Sequence, residues 1–331
     1  MVQSLEFPIV ENAIAPFGGW DALSGKLKEY GIDGLDGVWL PNQRDTSAPN
    51  EMLIGHHIFT MFDWLDYWLE DDEELLRRLG TKERIKQIYG ADSSHFLMSY
   101  LFSLHDAIQC GVQYVSMDVC NVTFEECQTY RWRHDDYAVM DAALEIINMI
   151  LKGVEPTFDF LIENSWWPGF QFTDPKKTEY LLSGINYPRI GIMLNTGRLM
   201  NTNPNIRTQE EGAEYVCARI AEHGELAKSV IGLRLSQSLS GEFVRRLTHM
   251  SNDFREFTSP PYDERGEDIM IGYIRAIEQK LPWTVPDAAK IVKQIEPKYL
   301  VHAPLYDPHD TELSALKQQL DALRKEQVFC G

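Results

Sequence analysis

Eight short runs rich in branched apolar residues recur along this chain, at 5–10, 35–40, 52–58, 112–118, 158–163, 190–195, 230–236 and 298–303. Longer stretches with apolar residues at helical spacing lie between most of them. Parallel strands need a crossover of a dozen or more residues, usually a helix. Eight such alternations therefore point to βα units around a parallel sheet. The expected fold is α/β, a single (β/α)8 barrel spanning residues 1–331, a length that barrels of this kind reach as one domain. The helix at 20–30 should stop at Gly31 and that at 93–109 at Gly111, because glycine accepts the left-handed turn after a helix. Residues 136–151 carry Ala138, Met140, Ala143, Ile146, Ile147 and Ile150 on one face. Helices follow at 210–223, 268–280 and 286–295, the last with Pro286 in its first turn. A final helix at 311–325 aligns Leu313, Leu316, Leu320 and Leu323 behind Asp310 as N-cap.

The second unit breaks the pattern. Residues 41–51 are too few for a crossover helix, so that unit is expected to be irregular. Residues 62–90 and 237–267 are correspondingly long excursions. The acidic run 66–74 reads as a solvated helix face.

Charge narrows the function. With 31 Lys+Arg against 50 Asp+Glu the chain carries −19, a field that repels nucleic acid and anionic membrane. Five cysteines (Cys110, Cys120, Cys127, Cys217, Cys330) form no CxxC pair and imply buried thiols rather than a disulfide framework. The N-terminus lacks the basic and apolar regions of a secretion signal, and no apolar run approaches ~18 residues. A cytoplasmic location is expected, with a small polar or anionic ligand as partner and a homo-oligomer open.

Barrel enzymes carry their chemistry at the C-terminal strand ends. Here those ends offer His56 and His57, Asp118, Glu163 beside Trp166 and Trp167, Asn195 and Arg198, Arg234 and Gln237, and His302. Glu163, Asn195, Arg234 and His302 are expected to face one mouth. Paired guanidiniums suit a carboxylate or phosphate through bidentate forks, and an aromatic beside a carboxylate suits a sugar face.

Glu163-Asn164, followed by Leu-Asn-Thr-Gly-Arg-Leu-Met-Asn-Thr ending at Thr202, resembles the xylose isomerase-like barrel superfamily of sugar and sugar-phosphate isomerases, epimerases and endonuclease IV-type enzymes. The resemblance implies a Glu–Asp–His–Glu set holding one divalent ion such as manganese, zinc or iron. It places Glu163 at the strand-five ligand, Asn195 where the family has Asp, and Arg198 where a substrate-contacting His stands. Arg234 takes the place of the strand-seven His, and His302 that of the strand-eight Glu. Asn keeps a carbonyl oxygen for a hard ion, whereas guanidinium has no acceptor. The metal site is therefore expected to be degraded, holding either no cofactor or one divalent cation through Glu163 and Asn195.

Two functions remain open. In the first, an isomerase or epimerase uses Glu163 as base and His302 as acid, with Arg198, Arg234, Trp166, Gln237, His56 and Asp118 around the substrate. In the second, the barrel is a non-catalytic binder or partner subunit in which Glu163 is half of a buried ion pair with Arg234 or Arg198. Metal-dependent endonuclease chemistry would need a basic face and several His ligands, and the chain has neither.

Overall fold

The computed structural model describes residues 1–253 and 264–325. Eight parallel strands close into a barrel in sequence order: β1 Val2–Pro8, β2 Gly34–Trp39, β3 Leu53–Ile58, β4 Tyr114–Asp118, β5 Asp159–Glu163, β6 Ile190–Asn195, β7 Val230–Leu235 and β8 Tyr299–His302. Because all pairs are parallel, every C-terminal strand end opens on the same mouth.

A short helix, α1 (Glu11–Ile14), precedes the first crossover, α2 (Trp20–Tyr30), which stops at Gly31 with φ 78°. The second unit is irregular as expected, joining β2 to β3 through a single 3-10 turn at Asn50–Met52. Three short helices then form the first excursion: α3 (Leu65–Trp68), α4 (Asp72–Leu79) and α5 (Lys82–Tyr89). Behind them α6 (Ser93–Cys110) ends at Gly111 with φ 70°. The series continues with α7 (Phe124–Thr129), α8 (Asp136–Ile150), α9 (Pro175–Gly184), α10 (Thr196–Asn201) and α11 (Gln209–His223). It closes with α12 (Gly241–Asp253), α13 (Glu264–Ile277), α14 (Ala288–Ile295) and α15 (Ser314–Arg324). Part of the second excursion expected at 237–267, and the thiol of Cys330, lie outside the described residues. No helix among the described residues is long and apolar enough to cross a membrane.

The acidic run of the first excursion is not simply a solvated face. Asp66 and Glu74 are buried. The guanidinium of Arg78 answers them, pairing with Asp63, with Asp66 at 2.9 Å and with Glu74 at 3.3 Å. His134 adds a 2.7 Å contact to Asp66, tying the excursion to the segment before α8. Burying carboxylates without a cation would be prohibitive, and Arg77 on Glu74 and Arg133 on Asp66 and Glu74 complete the compensation.

Inside the barrel the lower half is an apolar plug. Tyr114, Leu161, Met193, Tyr299, Val301 and Ala303 pack together, and the rings of Tyr114 and Tyr299 lie 4.5 Å apart. Gly55 is required beneath them, since a Cβ there would lie 2.1 Å from the Tyr114 ring. Above the plug the filling turns from apolar to charged. A second apolar cluster forms over the mouth, where Trp166 and Trp167 pack with Cys127 of α7, Val244 and Leu247 of α12 and Ile277 of α13.

Candidate functional site

Strand alternation decides which predicted residues reach the mouth, since successive side chains point to opposite faces. On β3 it is His57 that points inward, meeting Ser116 at 3.0 Å and Glu163 at 3.3 Å. His56 turns outward instead. It stacks on Trp39, bonds Ser103 of α6 at 2.7 Å, and is kept neutral by burial, which pushes its pKa down to about 3. The sequence doublet was the right signal, but its other member is the mouth residue.

His302 is likewise corrected. It faces the helix layer, where its Nδ1 accepts from Gln319 of α15 at 3.0 Å and its Nε2 donates to Gln3 at 3.2 Å. Burial, with Arg324 nearby, pushes its pKa down to about 3 and leaves it neutral. The inward neighbours on β8 are Val301 and Ala303, so that strand contributes no ligand or acid to the mouth. Glu163, Asn195 and Arg234 do meet there, but not His302.

Glu163 is the hub. It is fully buried and accepts from Asn195 Nδ2 at 2.9 Å and from Arg234 Nε at 3.1 Å. His57 and Arg198 stand within 3.3 and 3.4 Å. Arg234 continues the network to Asp36 at 2.7 Å and to Glu6, while Tyr114 donates to Asp36 at 2.6 Å. Arg198 joins Asp118 through Nη1 and Glu278 through Nε at 2.9 Å. Lys280 closes the rim on Glu6 at 2.6 Å.

The protonation states follow. Burial alone would raise the Glu163 carboxyl, but Arg234, His57 and Arg198 outweigh it and hold it well below the usual carboxylate range. Burial also opposes ionisation of Glu6, yet Lys280 and Arg234 pull it down to about 2. For His57 burial favours the neutral ring, but Asp118 and Glu163 overcome this and raise it to about 9. The mouth thus sets five acidic side chains (Glu6, Asp36, Asp118, Glu163, Glu278) against four basic ones (Arg198, Arg234, Lys280, His57).

A metal must be judged against that arrangement. Ligand atoms of His57, Asp118 and Glu163 lie within 4.8 Å of one another, close enough for one ion. Their neutral-pH chemistry does not fit it. Asp118 and Glu163 raise His57 to about 9, so an ion would have to displace a ring proton, and the two carboxylates are engaged by guanidiniums that offer no lone pair. Asn195 turns its Nδ2 donor to Glu163 and spends its carbonyl oxygen capping α10 through the Arg198 N–H at 3.0 Å. Its oxygen is not directed at an ion.

The remaining predicted residues are more enclosed than a substrate rim. Trp166 is buried within the cluster under α12 and α13. Gln237 is also buried and bridges by its backbone to Leu281, its Oε1 making no hydrogen bond among the described residues. Asp118 lies in the network. Sequence reasoning missed Glu6, Asp36, Glu278 and Lys280. Alternation along β1 and β2 could have flagged the first two, since Glu6 falls two residues after Ser4 on one face of β1 and Asp36 is a lone carboxylate in an otherwise apolar β2.

No protein-family model matches the sequence, and no curated protein is similar to it. Solved structures are similar over essentially the whole chain. Endonuclease IV from Thermus thermophilus matches with TM-score 0.53 at 11% identity, over 98% of this chain and 100% of that one. A D-tagatose 3-epimerase-like protein matches with TM-score 0.52 at 10% identity, over 99% and 100% of the two chains. D-Psicose 3-epimerase, solved in the presence of D-fructose, gives 0.51 at 10% identity over 99% and 98%. The chain thus shares the closed (β/α)8 barrel fold of these structures, and at such identities the likeness extends to fold alone.

Proposed function

We propose that this chain binds a small, hydroxyl-bearing polar metabolite at the barrel mouth without a divalent ion, as a binding protein rather than a metal-dependent epimerase. The observation that carries the reading is the complete engagement of Glu163. Four donor groups surround it in a desolvated site. A carboxylate held that far below its ordinary range is a poor base at neutral pH, whereas an epimerase base must take a proton beside a carbonyl. Arg198 and Arg234 supply, as fixed charges, the positive field that the family resemblance assigns to a metal.

A second reading has its own support. His57 is protonated at neutral pH and partly reaches solvent, with 13% of its side chain exposed, so it is the group placed to hand a proton to a ligand oxygen. Isomerase-type proton transfer would then use His57 as acid. Some base other than Glu163 would be required.

Thermal-shift titration with ketoses, polyols and hydroxy acids, before and after EDTA treatment, tests the first reading. At least one compound should stabilise the protein equally in both states. Stabilisation that vanishes with the chelator and returns with Mn2+, or turnover of a ketose, would overturn it.

A further inference from the structure

The guanidinium of Arg198 is used unevenly. Its Nη1 is shared by Asp118 and Glu163, and its Nε holds one oxygen of Glu278 at 2.9 Å. Its Nη2 makes no hydrogen bond among the described residues, although the side chain is only 9% exposed. The edge formed by Nε and Nη2 is the face on which arginine accepts a carboxylate with two parallel bonds. Glu278 occupies half of that edge.

Glu278 is also the one carboxylate of the network that the barrel strands and their immediate ends do not supply. It follows directly on α13, at the close of the second excursion. The next residues clasp the rim. Gln279 donates its N–H to Ser238 at 3.0 Å and accepts from the Leu239 N–H at 2.9 Å, and Lys280 pairs with Glu6. Lys280 does so from a left-handed backbone, φ 47°. Glu278 thus makes a one-point contact on a two-point edge, while its neighbours hold the segment to the rim by other bonds.

We propose that Arg198 is the anchor for a ligand carboxylate and that Glu278 is a built-in stand-in which the ligand displaces. This rests on the reading that the mouth binds a small polar metabolite, and it names the class: a hydroxylated monocarboxylate. The exchange is chemically even. One carboxylate leaves the guanidinium and one arrives, so the charge set against Arg198 is unchanged. The arriving group gains the second bond that Glu278 does not make. A phosphate dianion would instead bring an extra negative charge into a desolvated site where Asp118 and Glu163 already stand against the same guanidinium, which selects against it.

Calorimetric titration of the full chain with glycerate, acetate and inorganic phosphate tests the proposal, using the parent, Glu278→Gln and Arg198→Lys. Removing the internal competitor should tighten glycerate by at least ~10-fold, and replacing the fork by a single ammonium should weaken it by at least ~10-fold. Phosphate should bind neither parent nor Glu278→Gln. If Glu278→Gln does not fold, Glu278→Asp keeps the charge but shortens the reach, and should tighten glycerate by a smaller factor. Equal glycerate affinity in parent and Glu278 variants would overturn the proposal, as would absence of glycerate binding in all of them. A neutral polyol that still binds the parent would then leave the metal-free binding reading standing. Chelator-sensitive binding of such a polyol would remove that reading instead.

Discussion

Changing Glu163 to Gln separates a structural hub from a catalytic base. The substitution keeps the shape and can keep the bond from Asn195 Nδ2, now to the amide oxygen. The new NH2 group must then face the side that receives Arg234 Nε at 3.1 Å and His57 Nδ1 at 3.3 Å, so donor meets donor. Arg234 retains Asp36 and Glu6, which limits the damage. Breaking a buried pair while leaving its partner desolvated costs ~3–5 kcal/mol. With unfolding entropy of ~2.1 cal/mol/K per residue, a chain of this length has on the order of 0.7 kcal/mol/K at its midpoint. The expected fall in Tm is therefore ~4–7 °C by calorimetry. Arg234→Gln, which strips the guanidinium from Glu6, Asp36 and Glu163 together, should fall further. A Tm for Glu163→Gln that is unchanged or raised would refute the structural role and return Glu163 to candidacy as a functional group held at a cost to stability.

His57 titrates near pH 9 in the folded chain and at ~6.5 when unfolded, so its stabilisation is complete below ~6.5 and lost as pH rises through about 9. The difference is worth on the order of 3 kcal/mol, and His57→Gln should flatten the decline in Tm across that window. Nitrogen-detected NMR at pH 7 should show a charged ring at His57 beside a neutral one at His56; two neutral rings would contradict the network. Gly55→Ala, whose Cβ would meet the buried Tyr114 ring at 2.1 Å, should cost at least ~1–3 kcal/mol, read as lost Tm or lost soluble yield. The double variant Asn195→Asp with Arg234→His should melt lower than the parent and be rescued by Zn2+, whereas the parent should show no such rescue.

Most of the barrel was legible because strand and crossover periodicities differ so sharply. The strands at 158–163 and 190–195 fall within a residue of β5 and β6, and the helix stops at Gly31 and Gly111 are as read. Among the helices that escaped, α1, α3, α5, α7, α9, α10 and α12, most are short or polar. α10 is a six-residue turn whose start is fixed by the Asn195 side chain rather than by any apolar stripe. α15 begins at Ser314 rather than at residue 311 because Leu313 adopts a left-handed conformation, φ 53°, while Asp310 still accepts from the Ser314 N–H at 2.7 Å. At the mouth, Glu163, Arg198 and Arg234 were identifiable from strand ends alone. Their partners were not, since Glu278 lies 80 residues beyond Arg198, and Lys280 274 residues beyond the Glu6 it pairs with, so each meets its partner only through the closed fold. The His56 and His302 assignments failed for one reason. A strand end names two adjacent residues, and only the pleat decides which one faces inward.

The claim that two guanidiniums stand in for a metal is tested most directly by elemental analysis. The chain would be expressed in medium supplemented with manganese, zinc and iron and purified without chelators. The charge network predicts well under one equivalent of any of the three per chain, and no change in Tm on adding EDTA. About one equivalent of a single metal, removed by EDTA with a fall in Tm and absent from Glu163→Gln, would contradict it.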